Sequence, residues 1–119
     1  MGQSTWKEWG AVSLNPANPP TQNWATGCFS DTVPTRNGAG DYSFTFPAEY
    51  AIDSTEFDWK AQQQEAAAAS GLTSYGLAHT SDTVKRITIL REAALGATSA
   101  LTDITGPVVI RVFKRIPKT

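Results

Sequence analysis

Two side chains in this chain have the intrinsic reactivity for nucleophilic catalysis, Cys28 and His79, and each residue type occurs once. A thiol attacks as its thiolate, and a neighbouring imidazole can generate that species. Any such mechanism here would need the fold to bring these two residues together. His79 lies in Leu77-Ala78-His79-Thr80-Ser81-Asp82 at an expected strand end, and a lone Cys more often fills a core as a small hydrophobe. Both positions therefore read as structural. Carboxylates form the second group: Asp41, Glu49, Asp53, Glu56, Asp58 and Glu65. Paired acids hydrolyse glycosides and converging acids hold hard cations, but Asp53-Ser54-Thr55-Glu56-Phe57-Asp58 lacks the glycine and spacing of a calcium loop. A solvated acidic face is the simpler reading. No phosphate-cradling glycine loop, zinc-ligand spacing or nucleophile elbow is present, so the expectation is a protein without enzymatic activity, cofactor or metal.

Binding residues are more prominent. Three of the four Trp, namely Trp6, Trp9 and Trp24, fall in the first third, which Asn15-Pro16-Ala17-Asn18-Pro19-Pro20 punctuates as loop-like. Exposed Trp marks contact surfaces, so these three are expected to anchor a partner; stacking on sugar rings is the other use of such side chains. Charge is unevenly placed. Residues 1–83 carry nine acids and three bases, and residues 84–119 carry seven bases and two acids, within a formal net charge of −1. If the bases share one face, Arg86, Arg91, Arg111 and Arg115 of one copy would meet Asp53, Glu56 and Asp58 of the next around a closed ring. Pairing within one subunit is the alternative. Near-neutrality argues against a nucleic-acid partner bound by bulk attraction to phosphates.

The elements that must position these residues are mostly strands. A mass of 12.8 kDa suits one domain. Fifteen Thr and sixteen Ala against six Leu favour sheet over helical bundle. No apolar run approaches a membrane span, no export signal follows Met1, and one Cys permits no internal disulfide. Gly10 to Leu14 and Trp24 to Val33 each suit a strand. Tyr42, Phe44 and Phe46 alternate with Ser43 and Thr45 before Pro47, as in a strand with one buried aromatic face. Asn37-Gly38 offers the positive φ angles of a tight turn, which would run Cys28 to Arg36 back against it as a hairpin. Leu72 to His79, Val84 to Arg91 and Val108 to Ile116 complete the strands, with a small-residue connection from Glu92 to Ile104. Between them the signals conflict. Asp53-Ser54-Thr55-Glu56 has capping-box spacing and residues 60–70 are rich in helix formers, yet Phe57, Trp59 and Ala61 alternate as in a strand. The expected fold is all-β, an antiparallel β-sandwich or jelly roll, with one short helix near residues 60–70 as the open question.

The Asn37-Gly38-Ala39-Gly40-Asp41-Tyr42-Ser43-Phe44-Thr45-Phe46 stretch resembles the hairpin of C1q/TNF-like jelly-roll proteins in tailed-phage virions. The Val- and Ile-rich segments Val84 to Arg91 and Val108 to Ile116 are similar to their closing strands. That resemblance implies a homotrimer and favours strand over helix at Phe57 to Gln64, although Ala66-Ala67-Ala68-Ala69 departs from the pattern. It leads to the expectation of a virion structural protein, a capsid decoration or head-fibre subunit bound to the major capsid protein or another virion component. Residues 1–24 would be the attachment arm and residues 25–119 the sandwich. A tail-fibre or adhesin module for a host receptor or glycan is the alternative.

Overall fold

The computed structural model describes residues 4–63, 73–92, 98–103 and 107–117. Its strands are β1 (Ser4–Asn15), β2 (Thr21–Gly27), β3 (Thr35–Gly38), β4 (Asp41–Thr45), β5 (Phe57–Gln63), β6 (Thr73–His79), β7 (Val84–Glu92), β8 (Ser99–Leu101) and β9 (Val108–Pro117). They form two antiparallel sheets packed face to face, an all-β sandwich. Sheet A runs β2-β1-β9-β5, and sheet B runs β3-β4-β7-β6 with β8 pairing to β7. Among the described residues there is no α-helix, only 3₁₀ turns at Ala48–Tyr50 and Ser54–Glu56. Phe57 to Gln63 is strand, as the alternation suggested. The remainder of the expected helix or loop lies outside the described residues.

Alternation explains the core. Val12 and Leu14 of β1 and Val108, Ile110 and Val112 of β9 line the inner face of sheet A. Tyr42 and Phe44 of β4 and Ile87 and Ile89 of β7 face them from sheet B. Phe29 fills the space between, in edge contact with Phe44 at 5.0 Å and Phe46 at 5.1 Å between ring centres. Each fully buried side chain of this kind contributes about 1.5–3 kcal/mol.

Residues 4–24, within the expected arm, form two paired strands of sheet A and the connection between them. β1 lies inside sheet A, paired with β9 from Ser4 to Leu14 and with β2 from Gly10 to Asn15. A bulge at Trp9 shifts the register between Glu8 and Gly10, so outward positions change from Trp6 and Glu8 to Ala11 and Ser13. The expected turn also differs in detail. Among the described residues positive φ falls on Gly27 (56°) and Gly40 (63°), not on Asn37 or Gly38. At Gly40 a Cβ would come within 2.5 Å of the Thr102 backbone nitrogen and 2.6 Å of the Ile89 carbonyl oxygen, so both conformation and space require glycine.

One buried residue breaks the apolar pattern. Lys85 follows the inward parity of Ile87 and Ile89 and is fully buried, beside the rings of Phe46 and Phe57. Its ammonium donates to the carbonyl oxygens of Ile52 (3.0 Å), Ser81 (2.7 Å) and Asp82 (2.9 Å), which uses all three of its protons. Nearby, Ile52 N–H donates to Asp82 O and Phe46 N–H to Thr83 O. Burial pulls the Lys85 pKa down to about 8, with Asp82, Cys28 and Asp53 acting in the opposite direction, so it is charged at pH 7.

Lys85→Met removes three donors while keeping most of the volume, and is expected to lower the unfolding free energy by about 2–4 kcal/mol. Lys85→Ala adds a cavity and should cost more. Urea unfolding followed by Trp fluorescence checks this; a Lys85→Met variant as stable as the parent would show that the ammonium does not hold the loops.

Candidate functional site

The outer face of sheet A is organised in rows, because residues paired across antiparallel strands share a face. One row runs Trp24, Ser13, Val109, Gln62, and the next Thr26, Ala11, Arg111, Lys60. The third is Glu8, Phe113, Asp58, and the last pairs Trp6 with Arg115. Trp6 and Trp24 stand 48 % and 39 % exposed. Ala11 and Ser13, although on this outer face, are buried between larger neighbours. On the β5–β9 side the surface opens into a groove of about 490 Å³, lined by Lys60, Ala61, Gln62, Val109, Arg111 and Phe113. Arg111 Nη1 donates to Glu8 Oε1 at 2.8 Å, and the Lys60 ammonium stands 5.8 Å from the Phe113 ring centre.

Trp9, the third expected anchor, is not part of this surface. It is half-buried, donates its indole N–H to the Tyr50 carbonyl (3.0 Å) and meets the Tyr50 ring edge-on at 5.6 Å. The bulge turns it inwards, and Lys114 caps its ring at 4.9 Å.

The expected subunit-contact residues do not form one patch. Consecutive residues of a strand point to opposite faces, so Lys85-Arg86 and Lys114-Arg115 each send one base inwards and one outwards. Arg86 lies on the outer face of sheet B, Arg111 and Arg115 on that of sheet A, and Arg91 shares the inner parity of Lys85 and Ile89. Several bases are matched within the chain. Arg86 forms a forked pair with Asp41, its Nε donating at 2.7 Å to Oδ1 and its Nη2 to Oδ2, and Arg111 pairs with Glu8. Of the acids, Asp53 caps the 3₁₀ turn at Ser54–Glu56 by accepting from Thr55 N (2.8 Å), while Asp58 is exposed beside Phe113. The capping-box spacing thus marks a 3₁₀ turn rather than a helix. Glu56 is half-buried at its end.

The single thiol and imidazole have separate roles. Cys28 is buried in the core, its thiol pushed up to about 12 by burial, which leaves it protonated and unreactive at neutral pH. The His79 ring bonds Asp82 at 3.2 Å. No group of three or more metal-ligating side chains converges among the described residues.

A cluster that the sequence did not reveal sits where β8 meets the β3–β4 turn. Asp103 accepts from Gly40 N (2.8 Å), Arg36 Nη2 (2.8 Å), Arg36 Nε (3.0 Å) and the Tyr42 hydroxyl. Burial pushes its carboxyl up, but the bonds from Tyr42, Gly40 and Arg36 outweigh that and hold it below its ordinary value of 3.8. The Arg86 guanidinium likewise holds Asp41 below its ordinary value. No alternation or motif marks Asp103, because its partners come from distant residues.

No family model, curated protein or solved structure matches the chain. What the molecule does must therefore be argued from these surfaces.

Both depressed carboxylates give a pH dependence of definite sign. The folded chain releases these protons more readily than the unfolded chain, so their contribution is complete above about pH 4 and is lost as pH falls through the lower folded values. Thermal unfolding monitored by circular dichroism should show the melting temperature falling with pH below about 4, and less steeply for Asp103→Asn. An equal slope in the variant would remove Asp103 from the account.

Proposed function

We propose that this protein is a non-enzymatic structural subunit that works in many copies, a capsid decoration or head-fibre protein held on a virion as a homotrimer. The observation that carries this reading is the exposure of large apolar side chains on the outer faces of both sheets. Trp6 and Trp24 stand out from sheet A, while Leu90 and Leu101, neighbours across β7 and β8, stand 37 % and 43 % exposed on sheet B. A sandwich has two outer faces, and large apolar residues on each suit a subunit that packs against copies of itself and also seats on a partner. Intramolecular pairing of Arg86 and Arg111 shifts the expected contact from charge complementarity to apolar residues. Attachment is then made by a sheet face, since β1 is inside sheet A and is not available as an arm.

The two roles separate by mutation. The parent chain is expected to elute as a trimer in size-exclusion chromatography with light scattering, and to bind intact virions. Trp6→Ala with Trp24→Ala should weaken virion binding by at least about tenfold while leaving the trimer, as expected for exposed Trp anchors. Leu90→Asp should instead give monomers. A stable monomeric parent that does not bind virions would end this reading.

A further inference from the structure

The groove on the β5–β9 side of sheet A has a chemistry that an assembly contact does not need. Its floor is apolar, from Val109 and the half-buried Phe113, and its rim carries Lys60, Gln62 and Arg111. Arg111 is held by Glu8 on one nitrogen, whereas Lys60 has no carboxylate within ion-pair distance among the described residues. An ammonium without an ion pair among the described residues therefore stands beside an aromatic ring, with an amide and a guanidinium within the same groove. The groove volume of about 490 Å³ lies within the usual range for small-molecule sites, about 300–1,000 Å³.

These features select among ligands. A wholly apolar ligand would strip water from Lys60 and Arg111 without offering a partner. A polyphosphate chain would meet Glu8 and Asp58, which flank Phe113 on either side in the third row of the face. A sugar with a single carboxylate satisfies both constraints. Its C–H face packs on Phe113 and Val109, its carboxylate compensates Lys60, and its hydroxyls meet Gln62, Arg111 and Glu8. We propose that this groove binds an acidic oligosaccharide, one carrying a carboxylate on its sugar ring.

The site is compatible with attachment through Trp24 and Trp6, and goes beyond it. Neighbouring strands are rotated by about 20–25°, so over the three steps from β2 to β5 the sheet surface turns by about 60–75°. The β5–β9 groove can stay open to solvent while the β2 edge that carries Trp24 is covered.

The test is a titration of the full chain, followed by amide NMR shifts and calorimetry. The probes are sialyllactose and an aldobiouronic acid, each with a single carboxylate, tested against the methyl-ester or neutral counterpart. At least one acid is expected to bind with a Kd of roughly 0.1–1 mM, shifting the amides of Lys60, Gln62, Arg111 and Phe113, with its neutral form at least about tenfold weaker. Lys60→Gln, at an exposed position, should abolish the preference for the acid, and Phe113→Ala should weaken binding by about tenfold. If Phe113→Ala does not fold, Phe113→Leu serves in its place. The double Trp6→Ala, Trp24→Ala variant should bind the saccharide as the parent does, which keeps this result distinct from the virion test. Absence of binding by every probe at about 10 mM, equal binding of acid and neutral forms, or shifts confined to other surfaces would each overturn the proposal.

Discussion

A single buried ammonium organises one end of the sandwich. The chain leaves sheet B after β4, passes through the Pro47 to Glu56 segment, and enters sheet A as β5; the β6–β7 turn at Ser81-Asp82 packs against that crossing. Backbone carbonyls in such loops have no ladder partners and must find donors elsewhere. Lys85 supplies them to Ile52, Ser81 and Asp82 at once, with Phe46 and Phe57 enclosing the charge. An ion in this position is costly to desolvate, and three converging oxygens offset that cost, with no carboxylate within ion-pair distance among the described residues. Asp103 performs the mirror-image task at the β3–β4 turn, as an anion collecting donors from Gly40, Arg36 and Tyr42. Each ion ties a turn of sheet B to a crossing segment, one of positive and one of negative sign.

Much of the fold was legible in the sequence because most strands keep strict alternation. Tyr42, Phe44 and Phe46, and the Val/Ile runs of β7 and β9, identify strands with one apolar face, and Phe57-Asp58-Trp59-Lys60-Ala61 does so despite its helix-forming neighbours. Legibility failed where the backbone departs from a period of two. The bulge at Trp9 moves the outward positions of β1 from even to odd numbers, so no single pattern spans Ser4–Asn15 and half of a central strand looks like loop. At Lys85 the alternation was present, but residue type hid it, since a Lys between Val84 and Arg86 reads as surface. Asn37-Gly38 was persuasive turn chemistry, yet the close approach of Thr102 and Ile89 placed the positive φ at Gly40, and that contact is tertiary.

The candidate site was less legible than the fold, for a related reason. A split of charge along the chain carries no information about faces, and antiparallel pairing folds the basic C-terminal strands onto acidic N-terminal ones. β9 lies against β1, which brings Arg111 to Glu8, and β7 lies against β4, which brings Arg86 to Asp41. The same topology that joins distant segments into sheets therefore neutralises much of the polarity that suggested contacts between copies. Trp6 and Trp24 were visible as candidates from residue type alone; that Trp9 would turn inwards depended on the bulge.

Charge pairing inside the subunit gives the unpaired groups their meaning. On the outer face of sheet A, Glu8 engages Arg111, the small residues Ala11 and Ser13 are covered, and Trp24 on β2 and Trp6 at the other end of β1, opposite Arg115, remain exposed. On the β5–β9 side Lys60, Arg111 and Asp58 are exposed around Phe113, with the Lys60 ammonium 5.8 Å from the ring centre. Sheet twist sets these regions at different angles, so one face offers an apolar region suited to a protein surface and a cationic, ring-floored groove suited to a small acidic ligand. A flat sheet would merge them into one contact. The strand twist that allows the sandwich to pack is thus also what lets a domain of this size present two binding chemistries from a single sheet.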